Sequence, residues 1–237
     1  MSRSPDSATG PDAPAAADRS ILPDRLHAVG LVRAVVVIAL LAVVARLAFL
    51  GIRTFHWDEA RVGYWILRRI ETGHFAYRRI IHGPFIQHVN SVLFPLFGPS
   101  DFVARAPVAL VGGLLPLSAL CFREHLEDDE TVILALFLGF NAVLVYYSRF
   151  MRSDVLVAAF MFAALGMLVR FYDGRKPRYL YGAALLIALG VGSKENAVVY
   201  VLTWVGALFL LADQALYRPR DVASGAGLLR EKLHGVR

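Results

Sequence analysis

A single cysteine, Cys121, stands in the whole chain and lies in an apolar stretch, so neither a disulfide framework nor a cysteine-ligated metal can organise the fold. Internal repeats are absent too, which weighs against the repeat-built transporter architectures. The 25 Lys and Arg outnumber the 19 Asp and Glu and leave a net charge of +6, yet they gather into no basic stripe. They punctuate apolar runs instead, a pattern that offers nucleic acid no footprint and is better explained by membrane topology. No small-residue cleavage site follows the first apolar run, which starts some 30 residues in, so that run reads as a retained anchor rather than a secretory signal.

What is present is apolar surface. Hydrophobic residues make up 57% of the 237 positions and the mean hydropathy is +0.54, too apolar for a water-soluble domain of this size. Runs of the roughly 20 apolar residues that a spanning helix needs fall at 31–52, 102–122, 131–147, 155–171, 179–192 and 196–212, the fifth being short. The sequence therefore predicts an all-α integral membrane protein of about six transmembrane helices, with a long, partly helical first extracytoplasmic loop. Residues 1–19, rich in Ala, Pro, Ser and Asp, read as a disordered cytoplasmic tail. Residues 20–214 form the membrane domain, with the loop at 53–101, and 215–237 read as a basic cytoplasmic tail. With the N-terminus inside, the inner segments carry 14 Lys and Arg and the outer segments nine, which sets the predicted orientation of a multi-pass cell-membrane protein.

That threading gathers the polar clusters on the outer side: His56-Trp57-Asp58-Glu59, His82-Gly83-Pro84, Ser148 to Asp154, and Ser193-Lys194-Glu195-Asn196. Arg and Lys bind phosphate oxygens, and a carboxylate facing them can take a proton from a hydroxyl or hold a divalent cation. The combination suits a phosphate-bearing lipid with a polar headgroup. Each cluster also has a plainer reading. Asp58 and Glu59 suit the start of a surface helix, and Ser153-Asp154 and Ser193-Lys194-Glu195 suit helix caps. Arg46 and Arg105 suit snorkelling cations, and His82 suits a turn. Placement on one side favours the shared site, because independent caps would occur on both.

At these residues the chain resembles a known family. Phe55-His56-Trp57-Asp58-Glu59-Ala60 after a first span, then Tyr77 and His82-Gly83-Pro84-Phe85, are similar to the first outer loop of the GT-C glycosyltransferase superfamily. Ala104-Arg105-Ala106-Pro107, Tyr147-Ser148-Arg149 to Asp154, and Gly192-Ser193-Lys194-Glu195-Asn196 look like its later marks. The match runs from about residue 33 to 212 and most resembles the archaeal flippase-activity-associated proteins of N-glycosylation, relatives of the dolichyl-phosphate-mannose protein mannosyltransferases. The resemblance implies a polyprenyl-phosphate-linked sugar as ligand within the membrane lipid, and other membrane proteins of a glycosylation pathway as partners. It places Asp58 as the catalytic carboxylate, with Glu59 beside it as a second catalytic group or the ligand of a divalent metal, no cofactor being fixed. His82, Arg149, Arg152, Asp154, Lys194 and Glu195 are the expected substrate-binding residues. Members of the superfamily usually run into further spans, so this chain reads as shorter than its family. A flippase or transporter component without transfer chemistry, and a structural membrane subunit, are the competing readings.

Overall fold

The computed structural model describes residues 28–77 and 83–217, and every regular element among them is helical. The predicted tail at 1–19, the residues of the second tail beyond 217, and His82 lie outside the described residues. In chain order the helices are α1 (Ala28–Leu47), α2 (Trp57–Thr72), α3 (Pro84–Phe97), α4 (Asp101–Leu114), α5 (Asp128–Phe140), α6 (Ala142–Tyr147), α7 (Asp154–Gly174), α8 (Pro177–Ser193) and α9 (Ala197–Tyr217). A 3₁₀ segment, Leu115–Phe122, prolongs α4.

Four stretches are long and apolar enough to cross a membrane: Gly30–Leu47, Asp101–Phe122, Asp154–Gly174 and Ala197–Gln214. Large apolar side chains such as Val37, Leu40 and Val44 on α1, and Val199, Leu202 and Phe209 on α9, stand exposed. Surface of that kind is covered by lipid in a membrane protein and is untenable in water. The other two predicted spans are shorter than a simple crossing. α8 has 17 residues, about 25 Å at the helical rise against a hydrocarbon core of about 30 Å.

The predicted span at 131–147 is a broken helix. Asn141 adopts an extended ψ of 125°, and its side-chain oxygen accepts from the Val143 and Leu144 amides at 3.0 and 3.2 Å, so it ends α5 and caps α6. The cap diverts the Val143 amide from the Gly139 carbonyl, its partner in a continuous helix. Arg46 supplies the replacement, Nη1 donating to the Gly139 carbonyl at 2.7 Å. The buried arginine of α1 thus holds the break in its neighbour. α1 itself stops at Leu47, five positions short of the apolar run, where Phe49 turns the chain with a φ of 56°. A bulky residue in that left-handed region costs on the order of 1–3 kcal/mol and is held by its surroundings.

Close packing of small residues sets the helix pairs, as it does where lipid removes the hydrophobic drive between helices. A Cβ on Gly113 of α4 would lie 2.6 Å from Val43 Cγ2 of α1, and one on Gly166 of α7 would lie 2.7 Å from Cys121 Cβ. Cys121 is therefore a packing residue. α7 runs through the middle. Its Val155, Leu156 and Phe160 join Ile66 of α2, Ile86 of α3 and Val108 of α4 in one core cluster. Ala159 on the next turn joins Val35 of α1 and Leu138 of α5 in another. The C-terminal ends of α1 and α8 and the N-terminal ends of α2, α4 and α7 meet at one end of this bundle, and Asp58, Glu59, Arg105, Arg152, Asp154 and Lys194 meet there with them.

Candidate functional site

The site is built from the start of α2. His56 precedes the helix with extended backbone, and its Nδ1 accepts from the Asp58 amide at 3.3 Å while Glu59 Oε2 accepts from the His56 amide at 2.9 Å. This reciprocal cap fixes the helix entry and sends the two neighbouring carboxylates in different directions. Asp58 stays 40% exposed; Glu59 is fully buried.

Glu59 meets Arg105 of α4 in a two-pronged ion pair, Nε to Oε1 and Nη2 to Oε2, both at 2.8 Å. Oε1 also accepts from the Met151 amide at 2.8 Å, so four donors converge on the two oxygens once the His56 amide is included. The remaining N–H groups of Arg105 go to the carbonyls of Leu50, Arg53 and Thr54 at 3.0, 2.7 and 3.3 Å. All five donors of a guanidinium are then used. Burial alone would raise the Glu59 pKa; the hydrogen bonds from Arg105, Met151 and His56 and the Arg105 charge outweigh it and hold the carboxyl below its ordinary value. The sequence offered Glu59 as a catalytic group or metal ligand, and Arg105 as a snorkelling cation. The structure buries both and sets four donors on the two Glu59 oxygens. Among the described residues no three His, Cys, Asp or Glu side chains come together to hold a metal.

The segment between α6 and α7 lies against this pair. Met151 is fully buried and its sulfur meets the Asn90 amide of α3 at 3.1 Å, which anchors the segment from within. The next residue faces out. Arg152 reaches Asp58 with Nη1 at 3.2 Å and Asp154 with Nε at 3.3 Å, and Lys194, at the end of α8, reaches the other Asp154 oxygen at 2.5 Å. Asp58, Arg152, Asp154 and Lys194 thus form one continuous run of alternating charge, partly open to solvent, drawn from three separate segments. Both cations of the run are paired, so a phosphate entering it would compete with Asp58 and Asp154 for Arg152 and Lys194.

The other predicted residues lie elsewhere. Arg149 is apart from the run: Nη1 donates to the carbonyls of Ala45 and Ala48 at 3.1 and 2.8 Å, and Nη2 to Phe49 at 3.3 Å, closing the C-terminal end of α1. Glu195 accepts from the hydroxyl of Tyr77, a residue the sequence marked only for the family resemblance. Gly83 is wedged against the same turn, with a φ of 69° and its Cα so placed that a Cβ would fall 2.0 Å from the Ser193 carbonyl oxygen. The first loop is therefore tied at both Tyr77 and Gly83 to the turn that carries Lys194. Arg53, absent from the predicted set, sits over the Phe150 ring at 3.7 Å. Its signal in sequence was only its position just after the first span.

The fold and the site define an all-helical membrane protein with a run of paired carboxylates and cations at one end of its bundle. The comparison with protein families makes this specific: residues 81–225 match the family model described as dolichyl-phosphate-mannose-protein mannosyltransferase, and the chain belongs to that family. The matched region contains Arg105, Arg149, Arg152, Asp154, Lys194 and Glu195; Asp58 and Glu59 precede it. No curated protein and no solved structure matches the chain.

Proposed function

We propose that the protein transfers a glycosyl group from a polyprenyl-phosphate carrier to an acceptor hydroxyl at the outer face of the cell membrane, as a GT-C-type enzyme of archaeal-type protein glycosylation. The observation that carries this reading is the Asp58–Arg152–Asp154–Lys194 run, which sets a partly exposed carboxylate beside two cations. A carrier phosphate would draw Arg152 away from Asp58 and free that carboxylate for the acceptor. Asp58 then takes the hydroxyl proton, the acceptor oxygen bonds to the anomeric carbon, and the carbon–oxygen bond to phosphate breaks with its electron pair leaving on the polyprenyl phosphate. Arg152 and Lys194 meet the charge that develops there. Glu59 is a positioning residue: through Arg105, Met151 and His56 it sets where Asp58 and Arg152 stand. Glu195 orders the loop over the site through Tyr77. His82 belongs to the same loop. The membrane domain at 20–214 crosses six times with the N-terminus inside, the broken α5–α6 pair and the short α8 being tilted or discontinuous crossings.

One observation favours a second reading, in which the chain assists headgroup translocation beside other glycosylation proteins without transferring sugar. The broken helix at Asn141, with the buried Arg46 on its free carbonyl, is the kind of discontinuity that transporters carry. A panel of polyprenyl-phosphate sugars incubated with purified protein and a peptide or glycan acceptor separates the two. Release of polyprenyl phosphate with a glycosylated acceptor is the expected result. Carrier binding without release for every sugar favours translocation.

A further inference from the structure

Beside the charged run, and separate from it, lies a cavity of about 140 Å³ at the C-terminal end of α1, lined by Phe49, Arg53, Arg105, Tyr146, Arg149 and Phe150. This is well above the roughly 10–15 Å³ that admits one water. Three guanidinium side chains and no carboxylate border it. Glu59, the nearest acid, is committed to Arg105.

Neither of the other two cations has a carboxylate to itself: Arg53 shares Glu59 with Arg105, and no acid is paired with Arg149 among the described residues. The Arg53 side chain makes no hydrogen bond among the described residues. Its Nη2 stands 3.6 Å from Glu59, and its guanidinium lies over Phe150 with the side chain 48% exposed. Arg149 spends three N–H groups on carbonyls of α1 and its following turn and keeps two of its five. Those bonds also cover the negative end of the α1 dipole, which would otherwise repel an anion. Phe49 and Tyr146 stand exposed at the rim. Aromatic side chains at the end of a spanning helix mark headgroup depth. The backbone turn that carries Phe49 to that rim is the one in the left-handed conformation.

We propose that this cavity is a second oxyanion site, which takes the phosphate of an anionic phospholipid from the surrounding leaflet, gripped by Arg53 and Arg149. It goes beyond the transfer reading: the carrier phosphate belongs to Arg152 and Lys194, and the Phe150 ring lies 3.7 Å from the Arg53 guanidinium and 6.4 Å, centroid to centroid, from the His56 ring of the carboxylate site. A lipid seated there brackets the end of α1 against Phe150 and so steadies the entry to α2.

The test uses the full chain in lipid nanodiscs and native mass spectrometry, with phosphatidylglycerol and phosphatidylcholine as probes and inorganic phosphate as competitor. The wild type should retain phosphatidylglycerol in preference to phosphatidylcholine. Arg53→Gln should weaken that retention about tenfold, the size of one lost charge-assisted contact, with at most a small change in thermal unfolding in lipid-free detergent, since the half-exposed Arg53 side chain meets Glu59 only at 3.6 Å. Arg149→Lys keeps the charge but loses the fork, and should weaken it too. Arg152→Gln should leave it unchanged while reducing carrier binding, so the two readings fail separately. Stabilisation by inorganic phosphate equal to that by lipid, abolished by Arg53→Gln, confirms the oxyanion site and names the soluble ion as its source. Equal retention of the two lipids, or retention unaltered in both Arg53→Gln and Arg149→Lys, overturns the proposal.

Discussion

Replacing Glu59 by Gln keeps the side-chain shape and removes the charge. The amide oxygen can hold two of the four donors that now converge on the carboxylate, and the amide nitrogen then meets the other two hydrogen to hydrogen. Arg105, whose side chain is 1% exposed, is left as a buried cation without a counter-charge. Breaking such a pair from one side costs about 3–5 kcal/mol. For a chain of this length the melting temperature should fall by on the order of 10 °C, read by thermal unfolding in a fixed detergent. Removing both charges with Glu59→Leu and Arg105→Met together should cost less than the two single changes summed. The pH dependence has a defined sign. Because the folded pKa of Glu59 is depressed, its contribution is complete above the ordinary carboxylate range and is lost as pH falls through the depressed value. The gap between wild type and Glu59→Gln should therefore be widest near neutrality and close in acid. A Glu59→Gln protein within about 1 kcal/mol of wild type, or a gap that does not change with pH, would mean that the buried Glu59 charge does not stabilise the fold.

Three further outcomes follow from other parts of the structure. Gly83→Ala should destabilise the first loop, since the added Cβ would fall 2.0 Å from the Ser193 carbonyl oxygen at a φ of 69°, and limited proteolysis should cut that loop faster. Asn141→Ala removes the α6 cap and should cost about 0.5–2 kcal/mol in thermal unfolding; no change would mean that Arg46 alone maintains the break. In a Cys121→Ser background, a cysteine at 194 should react with an impermeant reagent from outside the cell and one at 176 should not; labelling at 176 would invert the proposed topology.

The helices and their membrane setting were legible because apolar run length is a strong signal, and each of the six runs contains a helix. Their interruptions were less legible. Asn141 was visible as the polar residue of its run, but whether an Asn caps or continues a helix depends on what receives the carbonyl it frees, here Arg46 from another helix. The end of α1 came early because Arg149, about 100 positions away in sequence, holds the carbonyls of Ala48 and Phe49. In the candidate site, the segments that approach one another could be read from their order and polarity, but the division of labour within each could not. Asp58 and Glu59 are adjacent and chemically alike; a helix start turns one outward and one into the core. Arg149 and Arg152 are three apart, and the structure directs one to α1 and the other to Asp58. Such choices are made by tertiary packing, on which a run of sequence is silent.

Asp58→Asn most directly tests whether Asp58 acts on the acceptor while Arg152 and Lys194 hold the carrier phosphate. Carrier affinity and product formation are measured on the same purified protein, with whichever polyprenyl-phosphate sugar the wild type turns over. Asp58→Asn should bind the carrier with near wild-type affinity and form no glycosylated acceptor. Full transfer by Asp58→Asn would mean that Asp58 does not act on the acceptor.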